Sequence, residues 1–130
     1  MTSSESPEKH LLLSIVELGG YPDFKSLYES LGYQVLHVTT VRKALALLKA
    51  NQPDVIVAEF NFQSDFRDRT SSLESLLAVI QRTGHGRVIV FYDKEQSHQL
   101  LRLTDAYPLI AATLPFPVAS NDIKKAILNE

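Results

Sequence analysis

The chain has 130 residues, with 13 lysines and arginines against 15 aspartates and glutamates, which gives a net charge of −2 at pH 7. This balance predicts neither a nucleic-acid partner nor a membrane partner, since both need a strongly basic surface. The sequence has no cysteine, which excludes disulfides, thiol catalysis and cysteine-ligated zinc. No apolar run approaches the roughly 20 residues that cross a bilayer, and we expect a cytoplasmic protein.

Five short apolar runs alternate with five amphipathic segments after a polar start. We expect residues 1–9 to be a disordered polar tail and residues 10–130 to form one domain. The predicted strands cover residues 10–17, 33–38, 55–60, 87–92 and 109–114. The predicted helices lie between Pro22 and Gly32, over 41–48, between Ser71 and Gly84, over 95–105, and after the capping residues Ser120 and Asn121.

This alternation predicts the architecture of the domain. The inner strands are apolar throughout, as in strands that are buried on both faces. Short connections between strands and helices demand right-handed crossovers, which put helices over both faces of a parallel sheet. We therefore predict an α/β protein with a three-layer α/β/α sandwich.

One stretch of the sequence suggests a family. Residues 53–59, Pro-Asp followed by four apolar residues and Glu59, match the run that leads into the phosphoacceptor strand of response-regulator receiver domains. Gly32-Tyr33, the Ala44-Leu45 pair and the Pro-Phe turn after the fifth strand match as well. Over residues 10–130 the sequence resembles a CheY-like receiver, which implies a flavodoxin-like (βα)5 fold with strand order 2-1-3-4-5 and a cis Phe116-Pro117 bond.

The resemblance also assigns positions to a phosphorylation pocket, and most of them hold unsuitable residues. The magnesium-binding acidic pair corresponds to Val16 and Glu17, and the acceptor aspartate to Glu59, whose carboxylate is displaced by roughly 1.5 Å. Tyr92, with Asp93 beside it, replaces the small hydroxyl, and Phe116, or Leu114 in a shifted alignment, replaces the lysine. The sequence thus indicates a degenerate pseudo-receiver that is not an enzyme and has no cofactor.

The leading hypothesis is a phosphorylation-independent signalling module that binds a protein partner or an output domain of its own chain, of which this domain would be the N-terminal part. A homodimer through helix 4, strand 5 and helix 5 is also open. The aromatic residues Phe91, Tyr92, Tyr107 and Phe116 are the predicted partner face. One alternative is an active phosphoacceptor with an unorthodox magnesium site that uses Asp93, Asp65 or Glu59; another is a small-ligand-binding flavodoxin-like domain.

Three further features bear on binding chemistry. Glu17 and Glu59 are weak candidates for a cation site, because hard cations need more than two oxygen ligands. The four histidines fall in four different segments, which argues against zinc. The polar 61–70 loop beside Glu59 fits either a recognition surface or a solvated connection.

Overall fold

A computed structural model describes residues 10–16, 24–60 and 73–128. Within these ranges, strands and helices alternate as the sequence predicts. The strands are β1 His10–Ile15, β2 Tyr33–Val38, β3 Val55–Glu59, β4 Arg87–Tyr92 and β5 Ile110–Pro115. The helices are α1 Lys25–Ser30, α2 Val41–Leu48, α3 Leu73–Thr83, α4 Ser97–Ala106 and α5 Ser120–Leu128, with a 3-10 turn over Lys94–Gln96 before α4.

The five strands form one parallel sheet in the order β2-β1-β3-β4-β5, so the predicted fold class and topology are confirmed. Every residue of β3 is buried, as expected for a central strand covered on both faces. Helices α2, α3 and α4 pack on one face of the sheet around Leu76 and Leu100. Helices α1 and α5 pack on the other face around Phe91 and Ile123.

Several predicted helix ends are confirmed, and one needs correcting. The Thr40 hydroxyl accepts a hydrogen bond from the Lys43 N–H at 3.1 Å and so caps α2. Gly32 follows α1 with φ at +96°, a conformation that favours glycine. Ser120 is the first residue of α5 and not the residue before it, a one-residue difference of the size expected at helix ends. His37, in the edge strand β2, is exposed.

Some predictions fall outside the described residues: the polar tail, Glu17, the start of the first helix at Pro22, and the 61–70 loop with Ser71. The described helices include none with both the length and the apolar character needed to cross a membrane. The predicted cis bond between Phe116 and Pro117 is present.

Candidate functional site

Parallel α/β sheets place their ligands at the carboxyl ends of the strands, and the register brings the predicted pocket positions to that end. Ile15 is paired with Ala58, so Val16 and Glu59 end neighbouring strands. The Phe116 N–H donates a hydrogen bond to the Tyr92 carbonyl at 2.8 Å. Val16, Glu59, Tyr92 and Phe116 therefore share one end of the sheet, as the resemblance implies, while Glu17 lies outside the described residues.

Glu59 is the acidic residue at the centre of this end. Its side chain is buried, with 7% exposed, which is unusual for a carboxylate. Glu59 is paired with Phe91 in the register of β3 and β4, and the next residue, Phe60, donates its N–H to the Phe91 carbonyl at 2.7 Å. Side chains alternate along a strand, so Glu59 follows Val57 on the α1/α5 side of the sheet.

Three phenylalanine rings occupy the α1/α5 side of this end. The centroid of the Phe91 ring lies 6.2 Å from that of Phe24, with an interplanar angle of 77°. The centroid of the Phe116 ring also lies 6.2 Å from that of Phe91, with an interplanar angle of 74°. These edge-to-face arrangements are the favourable ones for aromatic pairs. Phe116, at the position implied for a lysine, is thus part of an apolar cluster.

The four aromatic residues predicted to form a partner face do not form one surface. Phe91 is only 1% exposed and belongs with Phe116 to the core on the α1/α5 side. Tyr92 and Tyr107 pack against the core on the α2/α3/α4 side. Consecutive strand residues point to opposite faces, so Phe91 and Tyr92 could not have pointed the same way.

Tyr92 lines a groove between α4 and the end of β4. The groove has a volume of about 290 Å³ and is open on one side. Its lining residues are Tyr92, Ser97, His98, Leu100, Leu101, Thr104 and Thr113. Leu101 is 56% exposed, the more exposed of two large apolar side chains that face solvent in the described ranges. Of the four predicted aromatic residues, Tyr92 alone lines this groove.

Tyr107, which follows α4, connects that helix to α3. Its hydroxyl donates to Glu74 Oε2 at 3.5 Å. Burial raises the pKa of the Tyr107 hydroxyl, and the neighbouring Glu74 carboxylate raises it further. Tyr107 therefore holds its proton and links the two helices through a hydrogen bond.

Asp93, proposed as an unorthodox phosphoacceptor, has a local structural role. Its side chain accepts a hydrogen bond from the Glu95 N–H at 2.9 Å and caps the 3-10 turn ahead of α4. Across residues 10–16, 24–60 and 73–128, no three histidine or acidic side chains are grouped in a way that could hold a metal ion.

The opposite end of the sheet holds a polar cluster that the sequence reasoning missed. The Asp54 carboxylate accepts a hydrogen bond from the Leu11 N–H at 3.0 Å. Asp54 Oδ1 lies 3.1 Å from His85 Nε2, and Asp54 Oδ2 lies 3.6 Å from His10 Nδ1. Two of the four scattered histidines are therefore brought to one carboxylate. The positions of these residues in the sequence could have predicted the cluster. Each of the three stands at or just before the start of β1, β3 or β4, and parallel strands of one sheet begin at the same edge.

These contacts set the ionisation of Asp54. Burial raises the pKa of its carboxyl, but the Leu11 N–H, the His85 hydrogen bond and the positive charges of His10 and His85 lower it. The net result is a pKa below the ordinary value. Asp54 also donates its own N–H to the Leu11 carbonyl at 2.8 Å and accepts from the Arg87 N–H at 3.0 Å, so it joins three strands.

Comparison with known proteins identifies the fold. No family model and no curated protein matches the sequence. A response regulator receiver domain from Clostridium thermocellum is similar over 92% of both chains, with 22% identity and a TM-score of 0.73. The chemotaxis response regulator CheY4 of Vibrio cholerae matches 94% of this chain with 98% of its own, with 14% identity and a TM-score of 0.72. The regulatory domain of the repressor of iron transport regulator RitR matches with 14% identity, 92% and 93% coverage, and a TM-score of 0.70. The chain has the flavodoxin-like receiver fold.

Proposed function

We propose that this domain is a receiver-like signalling module that acts through protein-protein contacts and does not depend on aspartyl phosphorylation. The fold supports the signalling part, because solved structures with this fold include response regulator receiver domains. The residues at the carboxyl end of the sheet support the second part. Val16, Glu59, Tyr92 and Phe116 take the four positions where the receiver resemblance implies a carboxylate, an aspartate, a small hydroxyl and a lysine.

The observation that carries the proposal is the packing of Phe116 on Phe91. Transfer of a phosphoryl group needs cations placed against its negatively charged oxygens. An aromatic ring held in the α1/α5 core cannot supply that charge. The position implied for the lysine therefore offers no positive charge to a phosphoryl group on Glu59.

The groove beside Tyr92 is the surface that we assign to a protein partner, whether a separate protein, an output domain of the same chain or a second copy. Exposed Leu101 borders a concavity lined partly by apolar side chains, and exposed apolar surface around a groove is a feature of protein interaction sites. The groove is lined by residues of β4, α4 and β5, so a bound partner would contact three elements at once.

The first experiment asks whether the pocket responds to a phosphoryl mimic. The 15N-labelled domain is titrated with magnesium and beryllofluoride while the amide signals of Val16, Glu59 and Tyr92 are followed. We expect no saturable shifts up to millimolar magnesium, whereas the similar CheY4 from Vibrio cholerae serves as the positive control. Saturable shifts that disappear in Glu59→Gln would show a working phosphoacceptor and refute the proposal.

The second experiment tests the groove in the full chain. Leu101→Arg introduces a charge at the groove, and Leu128→Arg, at the other exposed large apolar side chain, is the matched control. We expect Leu101→Arg to abolish co-purification of the partner from source cells and Leu128→Arg to retain it. Equal retention by both variants would place the contact elsewhere.

A further inference from the structure

The carbonyl groups at the ends of the five helices are bonded in two ways. In α1 to α4, carbonyls of the last turn accept hydrogen bonds from residues just after the helix: the N–H groups of Gly32, Gly84 and Tyr107 and the side-chain amide of Asn51. In α5 the last turn accepts from a distant residue, Arg87, which is 39 residues from Ala126 and 40 from Ile127 in the sequence. The end of α5 is therefore tied to the tertiary structure.

The guanidinium group of Arg87 bonds two neighbouring carbonyls of this turn. Its Nη2 donates to the Ile127 carbonyl at 2.7 Å, and its Nη1 donates to the Ala126 carbonyl at 3.3 Å. The rigid fork of a guanidinium suits two adjacent acceptors, and a cation is favourable at the negative end of a helix. Arg87 thus supplies the cap that nearby residues supply to the other helices.

The sheet fixes the point from which the Arg87 side chain starts. Arg87 is the first residue of β4, is paired with Val55 of β3, and donates its N–H to the Asp54 carbonyl at 3.0 Å. Side chains alternate along a strand, so Arg87 lies on the same face as Ile89 and Phe91, which is the α1/α5 side. The guanidinium group therefore holds the end of α5 from a rigid base.

The last turn of α5 needs such support because the helix is short. α5 has nine residues, and isolated helices below about 12–15 residues are only marginally stable in water. In its last turn Ile127 is 2% exposed and Ala126 packs partly buried against the core, whereas Lys125 and Leu128 are exposed. Loss of the Arg87 hydrogen bonds would leave this turn with its apolar packing and two carbonyls without their charged donor.

We propose that Arg87 is a clasp that holds the last turn of α5 closed on the sheet, and that this turn opens locally, with the rest of the domain folded, when the clasp is lost. Arg87 is thus a positioning residue. Opening exposes Ile127 beside Leu128, so the closed and open forms differ in the apolar surface that they present. The clasp is separate from the groove beside Tyr92, and the inference does not rest on the proposed function.

Amide hydrogen exchange of the 15N-labelled full chain tests the clasp. Arg87→Gln removes the guanidinium group, and Arg102→Gln, at an exposed position of α4, is the control with the same change in charge. We expect exchange at the Ile127 and Leu128 amides to become about tenfold faster in Arg87→Gln, because hydrogen bonds from a charged donor are lost. In Arg102→Gln the same rates should stay within about twofold of the original.

The urea dependence of exchange separates local opening from unfolding of the whole domain. Local opening exposes little surface, so we expect exchange at Ile127 in Arg87→Gln to change little at low urea concentrations. Ile89, fully buried in β4, reports global unfolding, and its exchange should accelerate steeply with urea. Exchange at Ile127 that rises in parallel with Ile89 would overturn the proposal, because Arg87 would then stabilise the fold as a whole.

Two further measurements decide the matter even if Arg87→Gln does not fold. Arg87→Lys keeps the positive charge but lacks the fork, so exchange at Ile127 should become about threefold faster, less than in Arg87→Gln. In the original protein the clasp should slow rotation of the guanidinium group, so that the Nη hydrogens of Arg87 give separate NMR signals while those of exposed Arg102 are averaged. Averaged Nη signals for Arg87, or unchanged exchange at Ile127 in the Arg87 variants, would overturn the proposal.

Discussion

The two ends of the sheet are held together by different forces. At the carboxyl end, Phe91 packs edge-to-face between Phe24 and Phe116 beside buried Glu59. At the amino end, Asp54 joins β1, β3 and β4 through hydrogen bonds and two histidines. The end where parallel sheets bind ligands is thus stabilised by apolar packing, and the opposite end by polar contacts.

This difference predicts which end of the sheet contributes more to the stability of the fold. The Asp54 bonds cross-link the starts of strands, and its side chain is 37% exposed, so exposed ion pairs contribute only part of its effect. At the other end the rings of Phe24 and Phe91 are buried, with Phe116 partly buried against them, and each atom lost from such a core leaves a void. Changes at the carboxyl end should therefore cost more stability than changes at the amino end.

The largest expected effect is that of Phe91→Ala. Removing a ring that is 1% exposed and contacts two other rings should lower the free energy of unfolding by about 3–5 kcal/mol. Urea denaturation gives the value. Leu101→Ala, at a residue that is 56% exposed, is the control and should stay within about 0.5 kcal/mol of the original protein. A loss below about 1 kcal/mol for Phe91→Ala would mean that the aromatic cluster does not stabilise this end.

Gly86→Ala tests the amino end of the sheet, where the backbone of Gly86 lies close to a core side chain and to the backbone of Pro53. Gly86 has φ at +110°, and an added Cβ would lie 2.9 Å from Ile56 Cδ1 and 3.0 Å from the Pro53 carbonyl oxygen. We expect a loss of about 2–4 kcal/mol by urea denaturation, from backbone strain plus overpacking.

Gly84→Ala is the matched control for this substitution. Gly84 also has positive φ, +71°, but an added Cβ there would meet nothing within 4 Å. Only the backbone strain remains, and we expect a loss of about 1 kcal/mol. Equal losses for both glycines would show that the close approach at Gly86 relaxes without cost.

The fold was predictable from sequence because its signals are local and repeated. Period-two and period-3.6 apolar patterns, together with Thr40 and Gly32 at helix ends, fix the order of elements, and right-handed crossovers then fix a parallel sheet. The strand order itself came from the family resemblance of residues 53–59.

The sites were less predictable because they depend on register and face. Grouping Phe91 with Tyr92 ignored the alternation of strand side chains. Treating His10 and His85 as scattered ignored that they lie at the starts of β1 and β4, the two strands on either side of β3 and Asp54, although they are 75 residues apart by their numbers (85 − 10). Sequence distance says little about contacts across a parallel sheet.

The smallest expected effect is a pH-dependent one at Asp54, measured as the difference in unfolding free energy between the original protein and Asp54→Asn. The pKa of Asp54 is lowered from 3.8 in the folded state. The ionised carboxylate therefore stabilises the fold above about pH 4, and this contribution is lost as the pH falls through the folded-state pKa. We expect a difference of less than about 1 kcal/mol at pH 6, because the side chain is partly exposed, and a smaller one at pH 3.

A double-mutant cycle with His85→Gln at pH 6 assigns the origin of this effect. Asparagine retains an oxygen that can accept the Leu11 N–H, so Asp54→Asn mainly removes the negative charge. If the His85 contact at 3.1 Å carries part of the stabilisation, the two substitutions together should cost less than the sum of their separate effects. Strict additivity would assign the effect to His10 and not to His85, and a difference that grows toward pH 3 would contradict the lowered pKa of Asp54.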